Sequence, residues 1–167
     1  MLRMVVIWAA LAAMFLSITT VAANAQTASQ NASNVIFFSA KQLDAEIHKA
    51  PEDHPGTSFI DLIEYSPEKG GISITRRTKP TRADVHQRLI DTWYVIKGSG
   101  TLVTGGALVE PVTISKDELR GRGIAGGDER HIAPGDFVRI PAGVPHWIRK
   151  IDGDEIYYLV VKVASEP

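Results

Sequence analysis

The sequence contains no cysteine, which excludes disulfide bonds and any chemistry that depends on a thiol. It also has no excess of basic charge: 18 Lys and Arg stand against 19 Asp and Glu, so the charge pattern does not indicate binding to nucleic acid or to an anionic membrane. Internal repeats, coiled-coil heptads, phosphate-binding loops and Ser/His/Asp arrangements are missing as well. The chemistry must therefore come from another kind of site.

The first 25 residues have the pattern of a secretory signal peptide. Arg3 precedes an apolar run from Met4 to Leu16, and small residues then lead to Ala23-Asn24-Ala25, which matches an A-x-A cleavage site. We expect cleavage before Gln26, export to the periplasm or the medium, and no stable membrane insertion afterwards. The alternative is an uncleaved anchor, because the apolar stretch could nearly span a bilayer.

The next two segments are predicted to be a leader and a small N-terminal unit. Residues 26–34 lack periodicity and are rich in small polar residues, which predicts a flexible leader. Residues 35–57 are predicted to form a short strand, Val35–Phe38, and one helix. The helix should begin at Ser39, whose spacing to Gln42 is that of a capping box, and end near Lys49.

From residue 58 to residue 167 the hydrophobic period changes from 3.6 to 2. Short β-rich segments are separated by Gly, Pro or Asp turns, which predicts an antiparallel sandwich or barrel. The interval from Gly105 to Gly127 is rich in glycine and is expected to be an elaborated loop over one end of the barrel. The predicted strands are Ser58–Tyr65, Gly71–Arg77, Thr92–Ile96, Thr101–Thr104, Gly123–Ile132, Phe137–Ile140, His146–Ile151 and Glu155–Val163.

One motif near the C-terminus places a histidine at the start of a predicted strand. Gly135 follows a proline in a turn, Pro141 and Gly143 form a second turn after a short alternating segment, and His146 comes next. The spacing Gly-x5-Pro-x-Gly-x2-His resembles the second conserved motif of the cupin superfamily. This resemblance implies an all-β protein, an antiparallel jelly-roll barrel (double-stranded β-helix), which here carries one short N-terminal helix.

The resemblance also implies an earlier motif, Gly-x5-His-x-His-x3or4-Glu-x6-Gly, that supplies the other metal ligands of a cupin. Counting back from Gly98 places Asp91 at the glutamate position, His86 at the second histidine and Asp84 at the first. The frame is kept, while two of its ligand positions carry other residues. The resemblance therefore implies a site of His86, Asp91 and His146, with Asp84 as an additional carboxylate.

Two imidazoles and one carboxylate can hold a divalent ion such as iron, manganese, nickel or zinc, and leave positions open for water or substrate. Asp91 is the weakest member of this set, because aspartate is one methylene shorter than glutamate. The alternative is a cupin barrel that holds no metal.

Three further residues are candidates for contact with a small molecule in the barrel. Only one of Arg76 and its neighbour in a strand can point inward, and Arg76 is assigned to the substrate through its planar guanidinium. Trp93 shares the face of Asp91 and should line the pocket, whereas Lys150 should sit at its rim. His131 and His54 are expected on the surface.

Two functions are compatible with these features. The first is an exported cupin that binds a divalent metal and acts on a small polar molecule; as an enzyme it would be a metal-dependent oxygenase, isomerase or lyase. The second is a non-catalytic module that binds a small ligand or dimerises through its sheet. In either case we expect a homodimer.

Overall fold

The computed structural model describes residues 35–66 and 68–165, so the predicted signal peptide and leader lie outside the described residues. All regular elements belong to one compact unit that begins at Phe38. No helix within the described ranges combines the length and the hydrophobicity that a bilayer crossing requires. The elements are α1 (Ala40–Lys49), β1 (Glu52–His54), β2 (Thr57–Ser66), β3 (Gly70–Arg77), β4 (Ala83–His86), β5 (Leu89–Thr104), β6 (Ala107–Val109), β7 (Val112–Ser115), β8 (Glu118–Gly121), β9 (Gly123–Ala125), β10 (Asp128–Ile132), β11 (Phe137–Ile140) and β12 (His146–Ala164).

The predicted helix and its capping box are confirmed in α1. The Ser39 hydroxyl accepts from the backbone N–H of Gln42 at 3.3 Å, and the Gln42 side chain accepts from the Ser39 N–H at 2.9 Å. These two bonds satisfy N–H groups that the first turn of a helix leaves without partners. Ile47, fully buried, packs the helix against Ile74 and Tyr157 on the barrel.

The strands form one curled antiparallel sheet and a small separate ribbon. In the sheet β1, β2, β3, β12, β4, β8 and β7 lie side by side in that order, and β5 pairs with β10, β11 and β12. The ribbon consists of β6 and β9. The two longest strands, β5 and β12, pair with each other along almost their whole length and form the central pair of strands in the barrel.

A glycine marks the point where the pairing of β5 with β12 is interrupted. Gly98 has a φ of 73°, and a Cβ at this position would lie 1.9 Å from the carbonyl oxygen of Glu155. Only glycine fits such a left-handed conformation beside a close backbone. The register shifts between Asp152 and Tyr157 on the opposite strand, so the glycine at the end of the first motif serves the fold.

The interior of the barrel is apolar except where the candidate site begins. In β5 the alternate residues Leu89, Asp91, Trp93 and Val95 are buried while Tyr94 is exposed, so Asp91 lies on the core face. The main core cluster is Trp93, Val95, Leu102, Ile132, Ile140, Ile148, Ile156, Tyr158 and Val160.

Some secondary-structure predictions were wrong. The single strand predicted for Gly123–Ile132 is divided into β9 and β10, which pair with different strands. Residues 35–38 form no strand, because their apolar side chains are exposed and no described strand pairs with them. The interval from Gly105 to Gly127 is not an elaborated loop. It contains four short strands, β6 to β9, which pair with one another or with β4, and the glycines with positive φ lie only at its two ends, at 105–106 and 126–127.

Candidate metal centre

Three elements bring the predicted ligands together. His86 ends β4, Asp91 lies near the start of β5, and His146 begins β12. Strand β12 pairs with β4 through His146 and Asp84 and with β5 from His146 to Ala164, which places Lys162 opposite Asp91. Residues sixty positions apart in sequence therefore meet inside one barrel.

The ligand atoms of these three side chains lie within 4.8 Å of one another. Nε2 of His86 and Nε2 of His146 are each 3.7 Å from Oδ2 of Asp91. The side chains of Asp91 and His146 are 2% and 6% exposed, so the cluster is nearly shielded from solvent. His86 is slightly more open, at 16%.

The orientation of His146 leaves the correct nitrogen free for a ligand role. Its Nδ1 lies 3.1 Å from the carbonyl oxygen of Val144, which can only accept, so Nδ1 donates and Nε2 keeps its lone pair toward Asp91. In metal sites, a histidine that binds through one ring nitrogen is oriented by a hydrogen bond that its other ring nitrogen donates.

The electrostatics hold the histidines neutral and the carboxyl group ionised at neutral pH. Burial, followed by the nearby Lys162 ammonium, lowers the pKa of His86 to about 4. Burial also lowers the pKa of His146. Burial alone would raise the pKa of Asp91, but Lys162 and the two histidines outweigh it and the pKa is lowered. Neutral imidazole and ionised carboxylate are the forms that bind metal.

The donor atoms fit a small dication after modest side-chain adjustment. In a tetrahedral site with metal–ligand distances of about 2.1 Å, two ligand atoms lie roughly 3.4 Å apart. Two of the separations in this cluster are 3.7 Å. The chemistry of the set, two nitrogens and one oxygen, suits iron, manganese, nickel or zinc.

One charged neighbour of the cluster was missed by the sequence analysis. The ammonium of Lys162 lies 2.8 Å from both carboxylate oxygens of Asp91, from the opposite strand β12. The alternation of β12 contained the signal, because Tyr158 and Val160 are buried and Lys162 follows on the same face.

Asp84 lies beside the cluster without joining it. Its carboxylate is 3.3 Å from Nε of Arg120 and 4.0 Å from Nη2 of Arg77. The two arginines, rather than the histidines, are therefore its nearest charged partners. Asp84 nevertheless faces the same cavity as His86.

A cavity of about 460 Å³ opens from the cluster to the solvent. Trp93 lines it as predicted: its indole is edge-on to His146 at 5.5 Å between ring centroids, and Nε1 donates to Asp91 at 3.4 Å. The Tyr158 ring stacks on the Trp93 ring, with 4.6 Å between the ring centroids, and so helps to hold the indole in place.

The structure gives no support to the substrate contacts predicted for Arg76 and Lys150. Arg76 is outside the cavity and donates to Glu155 at 2.6 Å, while its neighbour Arg77 lines the cavity. Lys150 is 69% exposed and pairs with Asp152 at 2.7 Å. Alternation along β3 turns only one arginine inward, and the inward one is Arg77.

The remaining predicted surface histidines lie outside the ligand cluster. His131, 62% exposed, is 3.0 Å from Asp152, and His54 is paired with Asp53 at the edge of the cavity. His131 is therefore a suitable control for any test of metal binding.

No protein-family model and no curated protein matches the sequence. Among solved structures, the TT1209 protein of Thermus thermophilus is 18% identical, with 78% of this chain and 98% of that chain covered and a TM-score of 0.50. The cupin domain of Schizosaccharomyces pombe Cnp3 is 8% identical, with 67% of each chain covered and a TM-score of 0.49. A Thermotoga maritima protein described as a predicted oxalate decarboxylase is 12% identical, with 70% and 90% covered and a TM-score of 0.46.

Identities this low restrict the likeness to the fold. The described residues form a curled antiparallel jelly-roll barrel with one short helix, which is the cupin fold that the two sequence motifs predicted. A cluster of His86, Asp91 and His146 suited to a metal lies inside that barrel.

Proposed function

We propose that this cupin-fold protein is exported, holds one divalent transition-metal ion on His86, Asp91 and His146, and acts on a small polar molecule bound in the adjoining cavity. The convergence of three donor atoms within 4.8 Å at the base of that cavity carries the proposal. Buried clusters of ionisable groups are costly unless they are paired or bind an ion.

When bound, the metal would supply Lewis-acid polarisation or oxygen activation. The protein's own groups would prepare the site for it. The Val144 carbonyl orients His146, the indole of Trp93 donates to Asp91, and the apolar core behind Trp93 excludes water from one side. The cavity leaves the opposite side open to a small molecule.

A second candidate function is a binding module that works without metal. The contact between Lys162 and Asp91 favours it, because the ammonium already neutralises the carboxylate at 2.8 Å. In this alternative the cavity would bind its ligand through polar side chains alone.

Elemental analysis tests the choice between these two functions. We expect protein purified without chelators to carry about one equivalent of a divalent metal, and dialysis against EDTA to remove it. Protein that never carries metal, even after incubation with iron, manganese, nickel or zinc salts, would instead support the binding module.

A further inference from the structure

Arg77 is a buried guanidinium that the fold leaves incompletely paired. Its Nε donates to the Tyr158 hydroxyl at 2.8 Å, and its Nη1 donates to the hydroxyls of Thr57 and Thr81. Its Nη2 makes no hydrogen bond with any described residue, and the nearest charged atom, Oδ2 of Asp84, is 4.0 Å away. The side chain is 12% exposed, and no buried side-chain nitrogen or oxygen among the described residues lacks a hydrogen-bond partner, so Nη2 is accessible to solvent.

Arg77 lines the same cavity as the candidate metal ligands. Arg77, Asp84 and His146 all line the cavity of about 460 Å³. Tyr158, which holds the guanidinium in place, stacks on Trp93, and Trp93 meets His146 edge-on. The free N–H groups are thus fixed on the cavity wall by side chains that also support the cluster.

Asp84 provides an acceptor beside this donor. Its oxygens accept no hydrogen bond from any described residue, because Nε of Arg120 donates to Glu118 although it lies 3.3 Å from Asp84. The wall therefore presents the two N–H groups of Arg77 Nη2 and, 4.0 Å away, the carboxylate of Asp84, which is close to the charge of Arg120 but accepts no hydrogen bond from a described residue.

A ligand that fits this wall must carry an acceptor and a donor on adjacent atoms. The acceptor should be negative, since a guanidinium binds a carboxylate more strongly than a neutral oxygen. Asp84 repels any anion placed here, and a second negative charge on the ligand would add to that repulsion. Since Nε and Nη1 are already occupied, Arg77 offers one nitrogen rather than a bidentate fork, which fits a single carboxylate oxygen better than a phosphate.

From these contacts we infer that the cavity binds a small α-hydroxycarboxylic acid. Its carboxylate accepts from Nη2 of Arg77 and its hydroxyl donates to Asp84. This inference rests on the proposed function for the presence of metal nearby and deepens it by naming the class of the small molecule. The contacts to Arg77 and Asp84 themselves do not require a metal.

The test uses glycolate as the probe, with glycolamide and acetate as matched analogues. Glycolamide keeps the hydroxyl but has no charge, and acetate keeps the charge but has no hydroxyl. Affinities for the mature chain are measured by ligand-observed NMR titration, once in EDTA and once with added zinc. We expect glycolate to bind at least about tenfold more tightly than either analogue, the lower end of what a hydrogen bond to a charged group contributes.

Two variants and one control assign the binding to the wall. In Arg77→Lys the affinity for glycolate should fall at least about tenfold, and in Asp84→Asn the preference for glycolate over acetate should shrink. Arg76→Lys, at the adjacent position that faces Glu155, should leave glycolate affinity unchanged. Arg77→Lys loses bonds to Tyr158 and two threonines, so its fold is checked by circular dichroism.

Three outcomes would overturn the inference: no glycolate binding at millimolar concentration, equal affinity for glycolate and glycolamide, or unchanged affinity in a folded Arg77→Lys variant. The comparison of glycolate with glycolamide needs no variant, so it tests the need for a carboxylate even if Arg77→Lys does not fold. Binding that depends on Arg77 in EDTA supports the inference even when no zinc binds, in which case only the metal proposal fails.

Discussion

The ammonium of Lys162 and the carboxylate of Asp91 face each other across two strands, with Nζ 2.8 Å from both Oδ1 and Oδ2. Asp91 is also the only carboxylate in the candidate metal cluster. A metal and the lysine therefore compete for the same two oxygens. Repulsion between two unit charges 4 Å apart is about 4 kcal/mol near a protein surface, and a dication doubles it.

Replacing Lys162 by Met should strengthen metal binding. The methionine keeps the apolar stem of the side chain but removes the competing charge, so we expect zinc affinity to rise by at least about tenfold, or about 1.4 kcal/mol. Competition with a chromophoric chelator measures the dissociation constant.

The control is Lys150→Met, on the same strand but 69% exposed and paired with Asp152. It should leave the dissociation constant unchanged. Equal zinc affinity in the parent and the Lys162→Met variant would show that the lysine does not compete.

Removing any ligand of the cluster should abolish or strongly weaken metal binding. His86→Ala and His146→Ala should lose bound metal, and Asp91→Ala should weaken it strongly, because two remaining ligands cannot hold the ion. Elemental analysis of the purified variants gives the metal content.

Two other substitutions delimit the site. His131→Ala should have no effect, and Asp84→Asn should have a small one, because Asp84 is nearest to arginines. Undiminished metal in folded His86→Ala and His146→Ala would refute the assignment of the site.

The buried histidines should make the metal-free protein less stable in mild acid. The pKa of His86 is lowered from 6.5 to about 4, so between these values the unfolded chain binds a proton that the folded chain does not. The stability contributed by neutral His86 is therefore complete above pH 6.5 and is lost as the pH falls toward 4. The slope is about 1.4 kcal/mol per pH unit for each proton.

Urea titrations in EDTA at several pH values between these limits measure this dependence. The lowered pKa of His146 acts in the same direction. In His86→Gln the slope of the unfolding free energy against pH should decrease by up to one proton. An unchanged slope would mean that His86 titrates normally in the folded protein.

Glu155 should be important for holding α1 against the barrel. Burial alone would raise the pKa of Glu155, but hydrogen bonds from Arg76, Lys97 and His48 lower it to about 2. His48 belongs to α1, while Arg76 and Lys97 belong to the barrel. Glu155→Gln should reduce the unfolding free energy by roughly 1–3 kcal/mol, as expected for hydrogen bonds to a charged group.

Chemical denaturation of the two proteins measures this difference. Glu110→Gln is a matched control, since Glu110 pairs with Arg122 on the surface at 63% and 74% exposure. An exposed pair contributes about 0–1 kcal/mol. A loss in Glu155→Gln no larger than in Glu110→Gln would contradict the predicted role.

The N-terminal pattern predicts cleavage before Gln26 on export. Intact-mass measurement of the periplasmic or secreted fraction should show a chain that begins at residue 26, and Ala25→Arg should block processing because the cleavage site requires a small residue. Recovery of chains with Met1 in the membrane fraction would indicate an anchored protein instead.

Features that depend on neighbours along the chain were predictable from the sequence. The capping box of Ser39 and Gln42 forms as expected, and Gly98, Gly135 and Gly143 adopt the positive φ values that their turns require. Period-2 alternation correctly placed Asp91 and Trp93 on one buried face. These features follow from local backbone geometry, which is the same wherever the segment lies in a fold.

Features that depend on pairing between distant strands were decided only by the tertiary structure. Alternation showed that one of Arg76 and Arg77 points inward, but which one depends on the contacts of β3 with β2 and β12. Two ion pairs likewise arise from strand order and register. Asp84 lies next to arginines, and Lys162 pairs with Asp91, 71 positions away. Which charged groups pair depends on the distance between them in space. That distance is set only when the complete chain has folded.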